Sequence, residues 1–527
     1  RVVKAYGEAA RRCKEGGLDG LETLGNSHLI GQFLSLATNK RTDGYGGSLE
    51  NRCRFGLMVF EEIRLRAGDD FLVGFRCAVD EAMNDGLSQE ECIEIAHVFE
   101  RSGFIDFFNG NYGRMDTLLG LAVDNMPGMA SPIAPWLQSV GAFKREVGLP
   151  VFHAARITDI STARYAIQEG LLDMVAMTRA HIADPHLANK LAEGREAEIR
   201  PCVGATHCMS PQRPVCLHNA ATGRETTMPQ IVGRADSPGR RAVVVGGGPA
   251  GLEAARVLGE RGHDVVLFEA APRLGGQVLL GAEASWRSDL SGVIDWRVNE
   301  LERLGVDVRT NRYVEPDDVL TEDAEIVIIA TGGLPDIDWL DGVEHVTSAW
   351  DFLTGTGPVG GRVLVYDGTG RHPALQCAER ASAHGAETQL ICIDGEVAAE
   401  LTYAERAIWK QKTYEAGVTM INDHRIVRVA KSGNQLAATF SNELTGGLVK
   451  MVADRIVVEH GTLPVDDLYQ SLRVGSGNNG VTDLDALISG RAQPACESFE
   501  LHRIGDAVAS RNIAAATYDA LRLCHVM

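Results

Sequence analysis

The stretch RAVVVGGGPAGLEAARVLGERGHDVVLFE, residues 241–269, decides the fold of this 527-residue chain. An apolar run is followed by Gly246, Gly248 and Gly251 in G-x-G-x-x-G spacing, then by a helical pattern and a second apolar run that ends at Glu269. The first glycine permits a tight turn, the second lets the backbone approach a pyrophosphate, and the third allows close helix packing. The stretch therefore predicts a strand, turn, helix and strand that bind a dinucleotide, with Glu269 on a ribose.

Two later stretches match the remaining parts of a fold that contains two dinucleotide-binding modules. EIVIIATGGLPD begins with the apolar pattern of a strand. LHRIGDAVASRNIAAATYDALR places Gly505 and Asp506 before a helix. We expect Asp506 to meet a ribityl or ribose hydroxyl, and Arg273 to contact the same nucleotide. Between them, GGRVLVYDGTGRHPALQCAERASAHGAETQLICID repeats the strand, turn, helix and strand pattern, but Asp367 replaces the first glycine. The second module is therefore expected to fold without binding a nicotinamide dinucleotide.

Residues 1–200 alternate short apolar strands with helical patterns, which is typical of a parallel sheet or (β/α) barrel. Five strands can be counted, whereas a closed (β/α)8 barrel needs eight. We therefore predict an α/β chain in which a (β/α)8 barrel, lacking its N-terminal strands, precedes two Rossmann-like domains. The predicted boundaries are 1–198 for the barrel, 199–235 for a cysteine-containing linker, 236–345 with 470–527 for the first dinucleotide domain, and 346–469 for the second.

The composition argues against two classes of function, nucleic-acid binding and membrane spanning. The net charge of -20 opposes a polyphosphate partner, so nucleic-acid binding is not expected. No apolar run approaches the roughly 20 residues that cross a bilayer. The eleven cysteines are scattered except between residues 202 and 216, and no signal peptide precedes them. We expect a soluble cytoplasmic enzyme with reduced cysteines.

Several stretches together resemble a family of large flavoproteins. These are FLSLATNKRTDGYGGSLENRCRF, RITDISTARYAIQEGLLDMVAMTRAHIADPHLANKLAEGREAEIRPC, GGGPAGLEAA and RIGDAVASRNIAAATYDALRL. The resemblance is to the trimethylamine dehydrogenase and 2,4-dienoyl-CoA reductase family, in which an old-yellow-enzyme-type barrel precedes a nucleotide-binding module. Within this family, the sequence of these stretches is most similar to the dimethylglycine and N-methylproline demethylases. The resemblance implies FMN in the barrel, a 4Fe-4S cluster beside it, and FAD or ADP in the first dinucleotide domain.

The resemblance also assigns residues to the barrel site. Arg76 matches the arginine at the flavin pyrimidine edge, where a cation stabilises the anionic reduced flavin. Arg156 and Arg179 match the strand ends that hold the FMN phosphate. The family's pair of substrate-facing histidines is replaced by Asn26 and His28, so His28 is expected to contact substrate or accept a proton, or to be a structural histidine.

Further candidates end the next strand in FFNGNYG. Asn109, Asn111 and Tyr112 are expected either to line the same pocket or to form an ordinary loop. Tyr112 is counted with His28 and Arg76 among the catalytic candidates. Each of these positions follows an apolar strand, the edge at which barrels carry their chemistry.

The cysteine segment departs from the family pattern. Cys202, Cys208 and Cys216 are retained, but Ala205 stands where the family has a fourth cysteine. Four-iron clusters normally take four thiolates, so His207 or His218 would have to complete the set. A three-iron cluster, a zinc site of Cys3His type and loss of the cluster stay open.

The resemblance and the altered motifs favour an oxidative N-demethylase or amine dehydrogenase. The expected substrate is an N-methylated amine, and electrons would pass to an electron-transferring flavoprotein or a partner subunit of a homo- or hetero-oligomer. The alternatives are an NAD(P)H-dependent dienoyl-CoA-type ene reductase and a non-catalytic electron-relay subunit.

Overall fold

The computed structural model describes residues 1–210, 214–357 and 359–527. The chain forms two compact units, Arg1–His181 and Ile182–Met527. Across these described ranges, the helices are all too short or too polar to span a lipid bilayer. Each unit has its own sheets and core, and each is described separately below.

The first unit is a parallel sheet covered by helices. Its strands lie side by side in chain order, and every pair is parallel. The strands are β1 (Gly20–Leu24), β2 (Leu72–Asp80), β3 (Phe107–Tyr112), β4 (Val151–His153) and β5 (Met174–Val175). The α-helices are α1 (Val2–Glu15), α2 (Leu29–Leu34), α3 (Leu49–Ala67), α4 (Gln89–Ser102), α5 (Leu118–Gly120), α6 (Leu137–Glu146) and α7 (Ile160–Gln168), and α8 (Thr178–Ala183) crosses into the second unit.

Local sequence signals set the helix ends of this unit. Ser88 caps α4 by accepting a hydrogen bond from Glu91 N, while the Glu91 side chain accepts from Ser88 N. Gly103 ends the same helix in the left-handed conformation. Such a capping box with a terminal glycine stabilises a helix by about 1 kcal/mol and fixes where the following strand begins.

Phenylalanines form the core of the first unit. The Phe75 ring lies 5.2 Å from that of Phe60 and 4.7 Å from that of Phe99, and Phe108 meets Phe143 edge to face at 5.7 Å. All five side chains are buried. Truncation of one of them to alanine is expected to cost about 3–5 kcal/mol, so this cluster holds β2 and β3, which carry the site residues.

The second unit contains two parallel sheets and smaller antiparallel ones. The first parallel sheet has the order β20-β9-β6-β7-β8 and the second the order β11-β18-β12-β13-β14. Its strands are β6 (Arg241–Val245), β7 (Asp264–Phe268), β8 (Asp307–Arg309), β9 (Ile326–Ile329), β10 (Gly333–Pro335), β11 (Thr347–Ser348), β12 (Arg362–Asp367), β13 (Glu387–Cys392), β14 (Thr419–Ile421), β15 (His424–Ser432), β16 (Gln435–Asn442), β17 (Leu448–Ala453), β18 (Arg455–Glu459), β19 (Thr462–Pro464) and β20 (Glu500–Arg503).

Helices cover both parallel sheets of the second unit. They are α9 (Leu187–Ala192), α10 (Pro249–Arg261), α11 (Gln277–Ala282), α12 (Gly292–Arg303), α13 (Pro316–Thr321), α14 (Ala349–Thr354), α15 (His372–Ala383), α16 (Tyr403–Glu415), α17 (Asp467–Arg473), α18 (Leu484–Ile488) and α19 (Ile513–Cys524). In the first sheet the first strand, β6, lies in the middle, as in nucleotide-binding α/β folds; in the second sheet β12 lies in the middle and the earlier strand β11 lies at an edge. The predicted α/β class, a barrel-type parallel sheet followed by two Rossmann-like folds, is confirmed.

Candidate active site and nucleotide-binding turns

Polar side chains of the neighbouring strands β1, β2 and β3 converge in the first unit. Arg76 Nε donates to Asn111 Oδ1 at 3.0 Å, and Arg76 Nη1 lies 3.7 Å from Glu22 Oε1. Asn109 Nδ2 donates to Glu22 Oε2 at 2.7 Å. The parallel register sets Arg76 opposite Leu24 on one side and Asn109 on the other, which explains why these residues meet. The structure thus joins Arg76, Asn109 and Asn111, three of the residues that the sequence singled out.

A chain of amides extends this cluster. Asn125 Oδ1 accepts hydrogen bonds from both Asn111 Nδ2 and Asn26 Nδ2, each at 3.1 Å. Asn26 Nδ2 also donates to Gly113 O at 3.1 Å. Arg76 is therefore positioned by Asn111, which is itself held by Asn125. Asn125 was not predicted, because nothing in its local sequence marks it as a partner of Asn111 or of Asn26, which lies 99 positions earlier.

The strand ends of the first unit have the donors and acceptors that FMN requires. Asn109 Oδ1, His153 Nε2 and Arg179 Nη1 are buried atoms with no hydrogen-bond partner among the described residues. Burial lowers the pKa of His153 to about 4, so its ring is neutral at pH 7. Its Nδ1 lies 2.8 Å from the Gly110 carbonyl and must carry the proton, which leaves Nε2 as an acceptor. Buried polar atoms are normally paired, so these residues fit a polar ligand such as FMN.

The two arginines predicted to hold phosphate contact one short segment. Arg156 Nη1 donates to Gly128 O at 2.6 Å, and Arg179 Nη2 donates to Pro127 O at 2.9 Å. Ala155 and Arg156 have φ values of 110° and 52°, a conformation that is strained for residues with a side chain. Such strain is concentrated at functional sites, and here it fixes the direction of Arg156 at the end of β4. Phosphate binding by this pair stays a prediction.

Tyr112 and His28 have different environments. The Tyr112 ring stacks on Trp136, with centroids 3.9 Å apart and planes 12° apart. Burial, followed by the charges of Asp80 and Asp124, raises the pKa of Tyr112. Trp136 donates from Nε1 to Asp124 O at 2.7 Å. His28, in contrast, is exposed at the start of α2, and its imidazole has no hydrogen-bond partner within the described residues.

Of the aromatic pair, the sequence predicted only Tyr112. Tyr112 was singled out because it ends a strand, whereas Trp136 lies in an irregular segment before α6 and carried no motif. The catalytic roles of His28, Arg76 and Tyr112 stay predictions.

In the second unit, the glycines of the first turn have distinct steric roles. Gly246 has φ 110°, and a Cβ there would lie 2.3 Å from Ala330 O. A Cβ at Gly251 would lie 1.8 Å from Gly246 O, whereas one at Gly248 would meet no atom within 4 Å. Gly246 and Gly251 therefore allow close backbone packing, and Gly248 leaves open space at the N-terminus of α10. That space is where a pyrophosphate fits.

The remaining nucleotide candidates surround this turn. Glu269 Oε2 accepts from Gly247 N, and Oε1 accepts from Ala271 N, both at 2.7 Å. Gly505 packs against the start of α10, since a Cβ there would lie 2.8 Å from Ala250 Cβ. This contact brings Asp506 to the turn, where its carboxylate accepts from Arg511 N at 3.1 Å and Gln277 Nε2 at 3.3 Å. Arg273 is exposed. Binding of an adenine dinucleotide at this turn stays a prediction.

The described residues do not bring the three clustered cysteines together as a metal site. Within residues 1–210, 214–357 and 359–527, no three His, Cys, Asp or Glu side chains come together as a group that could hold a metal. Ala205, at the expected fourth position, is buried. His218 does not complete the set, because its Nε2 lies 3.0 Å from Gly292 O and its Nδ1 is 3.5 Å from Arg297 Nη1. We therefore assign no reaction step to a cluster at Cys202, Cys208 and Cys216.

A buried charge cluster lies beside this segment. The Arg200, Arg256 and Arg297 guanidiniums lie 4.7, 5.5 and 5.7 Å from the centre of the Trp296 ring. Glu253 accepts from Arg256 at 2.7 Å and from Arg297 at 2.8 Å. Burial disfavours the ionised Glu253, yet these two guanidiniums hold its pKa well below its ordinary value. The cluster joins α10 to α12 and supports the nucleotide-binding helix.

Comparison with known proteins places the chain in a family. Residues 1–198 match the NADH:flavin oxidoreductase / NADH oxidase family, and residues 192–347 and 240–489 match the pyridine nucleotide-disulphide oxidoreductase family.

Relatives match nearly the whole chain. A multifunctional alkene reductase/demethylase from Caballeronia cordobensis is 51% identical over 99% of this chain and 78% of its own length. A protein from Rhizobium meliloti (strain 1021), named as a probable N-methylproline demethylase, is 44% identical over the same shares. The solved structure of histamine dehydrogenase from Rhizobium sp. 4-9 superimposes with a TM-score of 0.86 at 26% identity, covering 99% of this chain and 76% of the other.

The matches confirm the resemblance to the trimethylamine dehydrogenase and 2,4-dienoyl-CoA reductase family. The chain belongs to the FMN-dependent oxidoreductases in which a barrel of the NADH:flavin oxidoreductase / NADH oxidase family is joined to a pyridine nucleotide-disulphide oxidoreductase module.

Proposed function

We propose that this protein is a flavin-dependent oxidative N-demethylase that acts on an N-methylated amine or amino acid of the dimethylglycine or N-methylproline type. The observation that carries the proposal is the stacked pair of Tyr112 and Trp136, with Asp80 and Asp124 near the Tyr112 hydroxyl. Aromatic faces and carboxylates attract a methylated ammonium group. The relatives named as demethylases support the same substrate class.

FMN, when bound, accepts the hydride that leaves the N-methyl carbon, and water then hydrolyses the substrate iminium to formaldehyde and the shorter amine. Arg76 supplies a positive charge among the polar side chains of β1, β2 and β3, where negative charge accumulates during hydride transfer. Asp124, whose pKa burial raises, and Asp80 bind the ammonium form before its proton leaves. His28 is exposed and is the residue that can pass this proton to water.

We further propose the cofactor sites and domain boundaries. Arg76, Arg156 and Arg179 hold FMN within residues 1–198, and the turn of the first dinucleotide domain, 236–345 with 470–527, holds FAD or ADP. Its contacts are Gly246, Gly248, Gly251, Glu269, Arg273, Gly505 and Asp506. Residues 199–235 link these domains, and 346–469 form the second, degenerate nucleotide fold.

Electrons leave the protein for an electron-transferring flavoprotein or a partner subunit in this proposal. A 4Fe-4S cluster at Cys202, Cys208 and Cys216 stays a prediction from the resemblance, and the proposal assigns no electron-transfer step to it. Zinc or a three-iron cluster would need the same three side chains.

A second candidate function is a nicotinamide-dependent ene reductase of the dienoyl-CoA type. The specific observation in its favour is that the relative with 51% identity is named both an alkene reductase and a demethylase. In the first function the amine reduces FMN, and in the second the nicotinamide reduces it. The compound that reduces FMN therefore distinguishes the two functions.

Anaerobic mixing tests the proposal. Holoenzyme is mixed with dimethylglycine and N-methylproline and, as fully demethylated controls, with glycine and proline, while flavin absorbance and formaldehyde are followed. The proposal predicts that the methylated compounds bleach the flavin and release formaldehyde, and that the demethylated controls do neither. Flavin reduction by NADPH, with none by any methylated amine, would establish the reductase instead.

A further inference from the structure

The turn after β12, in the second parallel sheet, contains a buried carboxylate. Asp367 ends β12 and is fully buried. Its Oδ1 accepts from Thr369 N at 3.0 Å and from Gly370 N at 2.9 Å. These amides lie between the strand and α15, where a dinucleotide-binding fold presents N–H groups to a pyrophosphate. In this module, a carboxylate of the chain itself accepts them.

The first module of the same chain provides an internal comparison. There the central strand β6 is followed by Gly246, and the space beside Gly248 is open. In the second module, a Cβ on Gly370 would lie 2.9 Å from Asp394 Oδ2, so a second carboxylate borders the turn. One turn is therefore open to an anion, and the other is occupied by a side chain and bordered by another acid.

A third acid adds to the negative charge. Glu459 pairs with Asp367 across β12 and β18, and it is buried. Burial raises the pKa of Asp367 to about 6 and that of Glu459 to about 7; the charge of Asp394 also raises the pKa of Asp367, and the charge of Asp367 also raises that of Glu459. Asp367 Oδ2 has no hydrogen-bond partner in the described part of the chain. A pyrophosphate entering here would meet several carboxyls at short range, which is unfavourable in a buried setting.

We propose that Asp367 is a specificity-determining residue that closes the second nucleotide fold to NAD(P)H, so that electrons do not pass between FMN and a nicotinamide through this fold. The inference does not depend on which amine the enzyme oxidises. In this account, one residue determines whether FMN can exchange electrons with a nicotinamide, in either direction, at this module. Arg371 stays at the turn as a cation that a phosphate can use once Asp367 is removed; at present its Nη1 donates to Arg511 O at 3.2 Å.

Ligand binding by substituted holoenzyme tests this assignment. Asp367→Gly restores the glycine of the fingerprint, and Asp367→Asn removes the charge but keeps an acceptor for Thr369 N and Gly370 N. ADP-ribose is titrated by calorimetry, because it carries the pyrophosphate but cannot donate hydride. We expect Asp367→Gly to bind ADP-ribose at least tenfold more tightly than wild type, with Asp367→Asn in between, and ADP-ribose to raise the thermal midpoint of the variants more than that of wild type.

Glu387→Gln is the matched control. Glu387 begins β13, the neighbour of β12, pairs with Arg362 at the end of β12 opposite to Asp367, and is exposed, so its substitution removes one negative charge from the module without altering the turn. It should bind ADP-ribose as wild type does. Binding at the barrel or the first module is common to all variants and cancels in the comparison. Equal affinity of wild type and both Asp367 variants would overturn the assignment, and so would an equal gain in Glu387→Gln. The flavin content of each variant is measured to verify that it is folded. If Asp367→Gly is unstable, the comparison with wild type uses Asp367→Asn.

Discussion

Substitution of Glu253 by glutamine should destabilise the second unit severely. Glu253 is 2% exposed and is the carboxylate partner of both Arg256 and Arg297, whose side chains are 7% and 0% exposed. A glutamine would lose the negative charge and turn an amide N–H toward one of the guanidiniums. Breaking a buried ion pair from one side costs about 3–5 kcal/mol. Since domains are commonly stable by roughly 5–15 kcal/mol, about 4 kcal/mol is a large share of the total.

The assay is urea denaturation of holoenzyme at pH 7, followed by tryptophan fluorescence, since Trp296 lies within the arginine cluster. Glu260→Gln is the matched control on the same helix. Glu260 is 26% exposed and its partner Arg303 is 38% exposed, so the control should cost less than about 1 kcal/mol. A loss below about 1 kcal/mol for Glu253→Gln, or an equal loss in both variants, would refute the reasoning.

Three further predictions concern catalysis, pH and cofactor binding. Arg76→Met should slow flavin reduction by substrate about 10²–10³-fold in stopped flow with FMN retained, because it removes the positive charge of Arg76; a rate within about twofold of wild type would contradict this role. Burial raises the pKa of Glu405 to about 7 despite the charge of Arg287, so its contribution to stability falls as pH rises from about 4.5 to 7. Glu405→Gln should therefore gain stability relative to wild type by up to about 3 kcal/mol between pH 5 and 8 in thermal unfolding, and a difference independent of pH would contradict this account. Glu269→Ala should lower retention of the adenine nucleotide about tenfold on dialysis, because a carboxylate bonded to the turn is lost; unchanged retention would exclude Glu269 from the site.

The parts of the fold that depend on local chemistry could be predicted from the sequence. Gly251 is required by a backbone contact within one strand-turn-helix unit, and the glycine spacing indicated the turn, although Gly246 is also required by the backbone of Ala330 after β9. Asp367 could be singled out for the same reason, because its replacement of a glycine is visible in the local pattern. The apolar run before Arg76 indicated a strand, but β2 continues to Asp80, so Arg76 lies in the middle of the strand and not at its end.

Residues that act through long-range contacts could not be found in this way. Trp136 and Asn125 lie outside any recognised local motif and meet their partners through the arrangement of separate elements. Glu253 lies within the quoted GGGPAGLEAA, but its partner Arg297 comes from α12. The cysteine segment is a different case. Its density suggested a metal centre, the described residues show no group that could hold a metal, and a cluster there stays a prediction. Spacing in sequence predicts a metal site only when the backbone folds the ligands around one point.

The most direct test of the central claim is the rate of FMN reduction by a substrate whose N-methyl group carries deuterium, compared with the same substrate carrying hydrogen. Both are mixed anaerobically with holoenzyme, and formaldehyde is measured after a single turnover. If the N-methyl carbon gives its hydride to FMN, the deuterated substrate should bleach the flavin several-fold more slowly, with one formaldehyde formed for each flavin reduced. Equal rates, or flavin reduction without formaldehyde, would contradict the proposed N-demethylation.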